Sequence, residues 1–139
     1  MANGNLIAER SISLASDTRE CARLDALVRG FLRDHAREKP ELIHDLRLVI
    51  EEILVNIIHH GYGDAIDGRI EVTISLKENS LSLSFSDIAP PFDPLIRRYN
   101  RDSDHSDGGM GIHLVRSLTD AQQYRRDHGR NVFTVTKDL

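Results

Sequence analysis

The feature that most constrains this chain is a pair of alternating runs. Ile70, Val72, Ile74 and Leu76 alternate with Glu71, Thr73 and Ser75, and Leu81, Leu83 and Phe85 alternate with serines. A period of two with one apolar and one polar face belongs to a strand buried on one side only. The link between the runs, KENS, is short and polar, so they predict an antiparallel hairpin. A sheet with one apolar face needs a cover. The cover is read from residues 41–64, ELIHDLRLVIEEILVNIIHHGYGD. There Leu42, Leu46, Val49, Ile50, Ile53 and Ile57 recur at helical spacing, an apolar stripe for packing on a sheet.

The remaining elements follow in order. Residues 6–14 read as a first strand at a sheet edge. Asp17 and Thr18 offer N-cap chemistry to a helix carrying Leu24, Leu27, Val28, Phe31 and Leu32. Pro40 ends one helix and opens the next, which Gly61 and Gly63 stop. After the hairpin, the prolines of DIAPPFDP break the strand pattern. Residues 95–108 predict a mobile loop with a short helix at its start. Gly108, Gly109 and Gly111 lead into an amphipathic helix, IHLVRSL. Strands at 121–126 and 131–136 flank a DHGR turn in which Gly129 can take a positive φ. The expectation is one domain over residues 1–139: an α/β sandwich, with helices layered on one face of a largely antiparallel sheet.

Bulk properties remove several function classes. A net charge of -4 does not suit a nucleic-acid backbone or an anionic membrane as main partner. The balance of 40% hydrophobic and 29% charged residues is that of a folded soluble domain. The start, MANGNLIAERS, has no basic region followed by an apolar run, and no stretch reaches the roughly 20 apolar residues of a membrane span. The single cysteine, Cys21, permits no internal disulfide and fits a reducing cytosol. It reads as a packed side chain in a helix.

Three groups of residues can carry chemistry. Glu52, Asn56 and His60 recur at steps of four, on a strip beside the apolar stripe. A carboxylate can act as a general base, and an amide oxygen is a hard ligand for Mg²⁺. Asp87 closes a strand and is placed to accept from an amino group such as that of adenine. The glycines of GGMG, before a helix, free backbone N–H groups for phosphate. Each group alone also fits a plain reading: a solvated helix face, an aspartate capping a turn, and turn glycines. GGMG is neither a Walker loop nor a Rossmann fingerprint, since no GK[ST] follows and no parallel βαβ unit is visible.

Together the three segments resemble the nucleotide-binding domain of the GHKL (Bergerat-fold) ATPases and kinases. Within these they look most like the small stand-alone anti-sigma-factor serine kinases of the RsbW and SpoIIAB kind. EEILVNIIHHGYGD resembles the family's N-box, DIAPPFDP its first glycine box and GGMGIHLV its second. The resemblance implies ATP and Mg²⁺ as cofactors. It implies Glu52 as general base, Asn56 as the Mg²⁺ ligand and His60 near the phosphates or ribose. Asp87 would accept from the adenine amine, beside Ala89. Gly108, Gly109, Met110 and Gly111 would border the phosphates, and residues 95–108 would form an ATP lid bearing Arg97, Arg98 and Arg101. The implied partners are a sigma factor or other sequestered regulator, an anti-anti-sigma (STAS) protein phosphorylated on serine, and a second copy in a homodimer. An alternative is a binding module that switches partners without phosphotransfer. The ATPase half of a histidine kinase is disfavoured by short flanks around the domain. Two positions depart from the family pattern. Ala89 stands where the first glycine box has glycine, which predicts a modified adenine pocket. Asn131 falls nearest the place of a late-strand threonine, with Thr134 further along.

Overall fold

A computed structural model describes residues 4–96 and 109–139, with only the backbone for Gly109 and Met110. Five strands form one antiparallel sheet in the order β1-β2-β3-β5-β4. They are β1 (Leu6–Ala15), β2 (Arg69–Lys77), β3 (Ser80–Asp87), β4 (Ala121–Asp127) and β5 (Arg130–Asp138). Three helices accompany them: α1 (Glu20–Asp34), α2 (Pro40–Asn56) and α3 (Gly109–Leu118). The expected α/β sandwich is therefore present, with β1 at a sheet edge and both hairpins in place.

The core forms where the helices meet the apolar face of the sheet. Leu46, Val49, Ile50 and Ile53 of α2 join Ile70, Val72, Ile74, Leu83 and Phe85 in one buried cluster. Leu24, Val28, Phe31 and Leu32 of α1 and Ile112 and Val115 of α3 complete it. The opposite face is hydroxyl-rich, and cross-strand bonds such as Ser11 with Thr73 (2.8 Å) and Thr134 with Ser84 (3.2 Å) satisfy it without a second layer.

The β4–β5 turn meets the requirement of a two-residue hairpin. Asp127 pairs with Arg130, and His128 and Gly129 both take positive φ, 50° and 77°. Two positive φ values define a type I′ turn, whose twist matches the strands it joins.

Three local features differ from the sequence expectation. First, α1 is not capped by Asp17 or Thr18. Its N-cap position is Arg19, and the Asp17 carboxylate accepts that residue's backbone N–H (2.9 Å) and guanidinium (2.6 Å) instead. A short acidic side chain that satisfies its own turn is unavailable to the helix. Second, α2 does not run on as an α-helix to Asp64. It ends at Asn56 and continues as one π-helical turn, Ile57–Gly61, in which the Tyr62 N–H reaches the carbonyl of Ile57 (3.0 Å). Gly61 lies inside that turn, and the left-handed positions that end it are Gly63 (φ 58°) and Asp64 (φ 68°). Third, Gly109 and Gly111 do not precede α3 but form its first turn. A short 3₁₀ turn at Pro94–Ile96 stands where the start of the 95–108 loop was expected to be helical. The rest of that segment lies outside the described residues.

Ile50 is 1% exposed at the centre of the α2–sheet contact. Ile50→Ala is expected to lower the unfolding free energy by about 2–5 kcal/mol in urea denaturation, through lost transfer energy and the cavity left behind. A loss below about 1 kcal/mol would contradict this core assignment.

Candidate functional site

A cleft opens where the C-terminal end of α2 passes over the ends of β3, β4 and β5. Asn56, Gly61, Asp87, Phe92, Tyr124 and Asn131 line it, and it is narrow, with about 20 Å³ open to the centre of a water-sized sphere. The strands explain the grouping. Asp87 is the last inward-facing residue of β3, and the β3–β5 register sets Asn131 directly opposite it. The helix supplies Asn56 at its final residue, and the π-helical turn brings Gly61 to the same wall.

Asp87 is 4% exposed and lies at the floor. Its Oδ1 accepts the Ala89 N–H (3.0 Å) and the Asn131 amide (2.9 Å). Burial raises its pKa above the ordinary carboxylate value, opposed by the hydrogen bonds from Asn131 and Ala89 and by the charges of Arg126 and Arg130. Among the described residues no donor reaches Oδ2, which leaves acceptor capacity facing the cleft.

Asn56 is 5% exposed, and among the described residues no hydrogen bond satisfies its side-chain amide. A buried, unmatched amide on a cleft wall is suited to a ligand. Among the described residues no three His, Cys, Asp or Glu side chains cluster to hold a metal. The donor set therefore fits Mg²⁺ only in its common sparse mode, with one protein oxygen and the remaining positions taken by phosphate and water.

The expected row of Glu52, Asn56 and His60 does not act as one strip. Asn56 lines the cleft. His60, beyond the change to π-helix, stacks on Phe92 with ring centroids 5.3 Å apart. Glu52 lines a separate groove with Gly111, His113, Leu114 and Ser117. Partial burial, then the neighbouring charge of Glu51, raises its pKa. Gly111 lies against the Glu52 carboxylate: a Cβ at that position would meet Glu52 Oε2, which would have to swing aside. Gly109 stands beside it in the first turn of α3. The side chain of Met110, Gly108, and Arg97, Arg98 and Arg101 of the expected lid lie outside the described residues.

Ala89 introduces no backbone strain. The non-glycine residues with positive φ among those described are Ala36, Asp64 and His128. The Ala89 methyl instead occupies space left by Gly61, where an added Cβ would come within 3.1 Å of it. The Ala89 carbonyl accepts from Arg126 (2.8 Å) and Asn131 (3.2 Å). Of the two late-strand candidates, Asn131 lies in the cleft and Thr134 on the outer face against Ser84.

Tyr62 was not singled out from the sequence. Its hydroxyl donates to the carbonyl of Arg69 (2.7 Å) and accepts the N–H of Ile88 (3.1 Å), which pins the residue after Asp87. Its ring packs where Gly68 would carry a Cβ, within 2.6–2.8 Å. Tyr124 and Phe92 were likewise missed. A lone aromatic in a strand or loop gives no sign of the wall it will form until pairing is known.

Residues 14–137 match the histidine kinase-like ATPase domain family, and the chain belongs to that family. It is similar to the serine-protein kinase RsbW of Bacillus thuringiensis (strain Al Hakam), with 30% identity over 98 residues, covering 65% of this chain and 61% of the relative. It is also similar to the serine-protein kinase RsbW of Bacillus velezensis (strain DSM 23117 / BGSC 10A6 / LMG 26770 / FZB42), with 27% identity over 106 residues, 70% of this chain and 65% of the relative. The matches thus span under two thirds of those relatives' length. The fold is shared with the crystal structure of the RsbU and RsbW domains of Rv1364c from Mycobacterium tuberculosis. The TM-score there is 0.67 at 18% identity, over 94% of this chain and 31% of that one.

The atom that an added Cβ at Gly111 would meet is the free end of the Glu52 side chain. Gly111→Ala is therefore expected to change stability by less than about 1 kcal/mol in urea denaturation, because the carboxylate can swing aside and alanine favours the helix. A loss above about 2 kcal/mol would show that the Glu52 carboxylate is held in place against α3.

Proposed function

We propose that this chain is an ATP- and Mg²⁺-dependent protein serine kinase that acts as an anti-sigma factor, phosphorylating a STAS-type anti-anti-sigma partner. The observation that carries the nucleotide part is the pairing of two unmatched polar groups in one cleft, the Asn56 amide and Asp87 Oδ2. The family and the names of its relatives support the kinase part.

In this reading Asp87 accepts from the adenine amine, and Asn56 would hold Mg²⁺. The first turn of α3, with Gly109 and Gly111, offers backbone N–H groups to the phosphate oxygens. Mg²⁺ bound there would supply charge neutralisation. Glu52 takes the proton of the partner's serine hydroxyl. The serine oxygen forms its bond to the γ-phosphorus as the bond from that phosphorus to the β,γ-bridging oxygen breaks, and ADP leaves. The phosphate added to the partner carries charge into the contact surface and weakens that complex, which frees the kinase to hold its sigma factor. The outer edge of β1 offers a surface for homodimer contact, and the cytosol is the compartment where such partners meet. Among the described residues no helix is long and apolar enough to cross a membrane.

One observation favours a second reading. Glu52 opens into a groove separate from the cleft of Asn56 and Asp87, an arrangement compatible with a partner switch that binds ATP without transferring phosphate. Label transfer from γ-labelled ATP to a STAS partner separates the two. The kinase reading expects transfer by the wild type and a loss of roughly 10²–10⁴-fold with Glu52→Ala. Equal transfer by both proteins would remove Glu52 from the base role. Tight ATP binding with no ADP formed, even with the partner present, would favour the switch.

A further inference from the structure

Asn131 is the most heavily used polar side chain at the cleft. Its Nδ2 donates to Asp87 Oδ1 (2.9 Å), to the carbonyl of Ala89 (3.2 Å) and to that of Pro90 (3.1 Å). Its Oδ1 accepts the backbone N–H of Phe92 (3.3 Å) and the hydroxyl of Tyr124 (2.5 Å). The reverse orientation of the amide would set its oxygen against three acceptors and its NH₂ against a backbone N–H, so the network dictates one orientation. The residue is 5% exposed, so nothing from solvent replaces these bonds.

This arrangement divides the work of the Asp87 carboxylate. One oxygen is taken by the Asn131 amide and the Ala89 N–H. The same amide holds the carbonyls of Ala89 and Pro90, so the carboxylate and the loop after it are fixed as one unit. The other oxygen is left to the cleft as an acceptor. Because Asn131 offers only donors to Asp87, it also favours the ionised carboxylate, which accepts and cannot donate.

We propose that Asn131 is a positioning residue that holds Asp87 as a single-sided acceptor and thereby sets the cleft's preference for a 6-amino purine over a 6-oxo purine. The inference rests on the nucleotide reading above. A 6-amino group donates to the ionised carboxylate. A 6-oxo group presents an acceptor and is repelled unless Asp87 carries a proton. Replacing Asn131 with an apolar residue removes the donor that opposes protonation, so discrimination weakens and becomes more sensitive to pH. Tyr124→Phe acts in the same direction and less strongly, because it releases only one bond that orients the amide.

The test is a calorimetric titration of wild type, Asn131→Leu and Tyr124→Phe with Mg²⁺-ATP and Mg²⁺-inosine triphosphate across a pH series. Thermal melts accompany it. Wild type is expected to prefer ATP, and the ATP-to-inosine ratio should fall roughly tenfold or more in Asn131→Leu, the worth of one charge-assisted hydrogen bond. The pH below which ATP binding is lost should rise in Asn131→Leu, with a smaller rise in Tyr124→Phe. If Asn131→Leu does not fold, Tyr124→Phe decides alone, by the presence or absence of both changes. Equal weakening toward both triphosphates, with no change in ratio or pH dependence, would reduce Asn131 to a structural role and leave the nucleotide reading standing. Failure of wild type to bind either triphosphate would overturn that reading and this inference together.

Discussion

The seam between α2 and the apolar face of the sheet governs the position of everything else in this molecule. Leu46, Val49, Ile50 and Ile53 are buried with strand residues that include Ile70, Val72, Ile74, Leu83, Phe85 and Phe133. Each such side chain contributes about 1.5–3 kcal/mol of transfer free energy. Since α2 has one apolar stripe, it can sit on the sheet in one rotation only. That rotation carries Asn56 to the edge of the seam, where the helix runs off the apolar face and over the polar ends of β3 and β5. There its amide is buried on the cleft wall with no hydrogen-bond partner among the described residues.

Two further constraints complete the cleft. The β3–β5 register pairs Asp87 with Asn131 on the inner face. A shift of one residue would send Asn131 to the outer face and leave the carboxylate buried without its amide. After Asn56 the chain makes one π-helical turn, Ile57–Gly61. Single π-helical turns within α-helices recur at functional sites. Here the turn sets Gly61 against Ala89 and turns His60 toward Phe92. Ala89 is therefore accommodated by the glycine across from it, with no positive φ.

Much of this was legible in the residues themselves. The period-two runs at 70–85 and the stripe in α2 act through burial alone, and both stand in the structure as read. Asp87 was legible as a strand-end carboxylate, and Asn56 as an amide one turn past Glu52. The features that were not legible depend on geometry that spacing does not encode. The π-helical turn breaks the step of four that put His60 in line with Asn56. Asp17 serves its own turn, an alternative local bond that competes with capping. Asn131 gains its role only from a cross-strand partner 44 positions away. The tight approach of Gly111 to Glu52 reflects packing between α3 and α2, where a glycine reads equally well as a turn signal.

The central claim is that the cleft between the end of α2 and the ends of β3 and β5 takes an adenine nucleotide. The most direct measurement is an amide NMR titration of the protein with Mg²⁺-ATP. The account predicts saturable shifts concentrated at Asn56, Gly61, the segment from Asp87 to Phe92, Asn131 and the first turn of α3. Shifts confined to the hydroxyl face of the sheet, or none at saturating nucleotide, would contradict it.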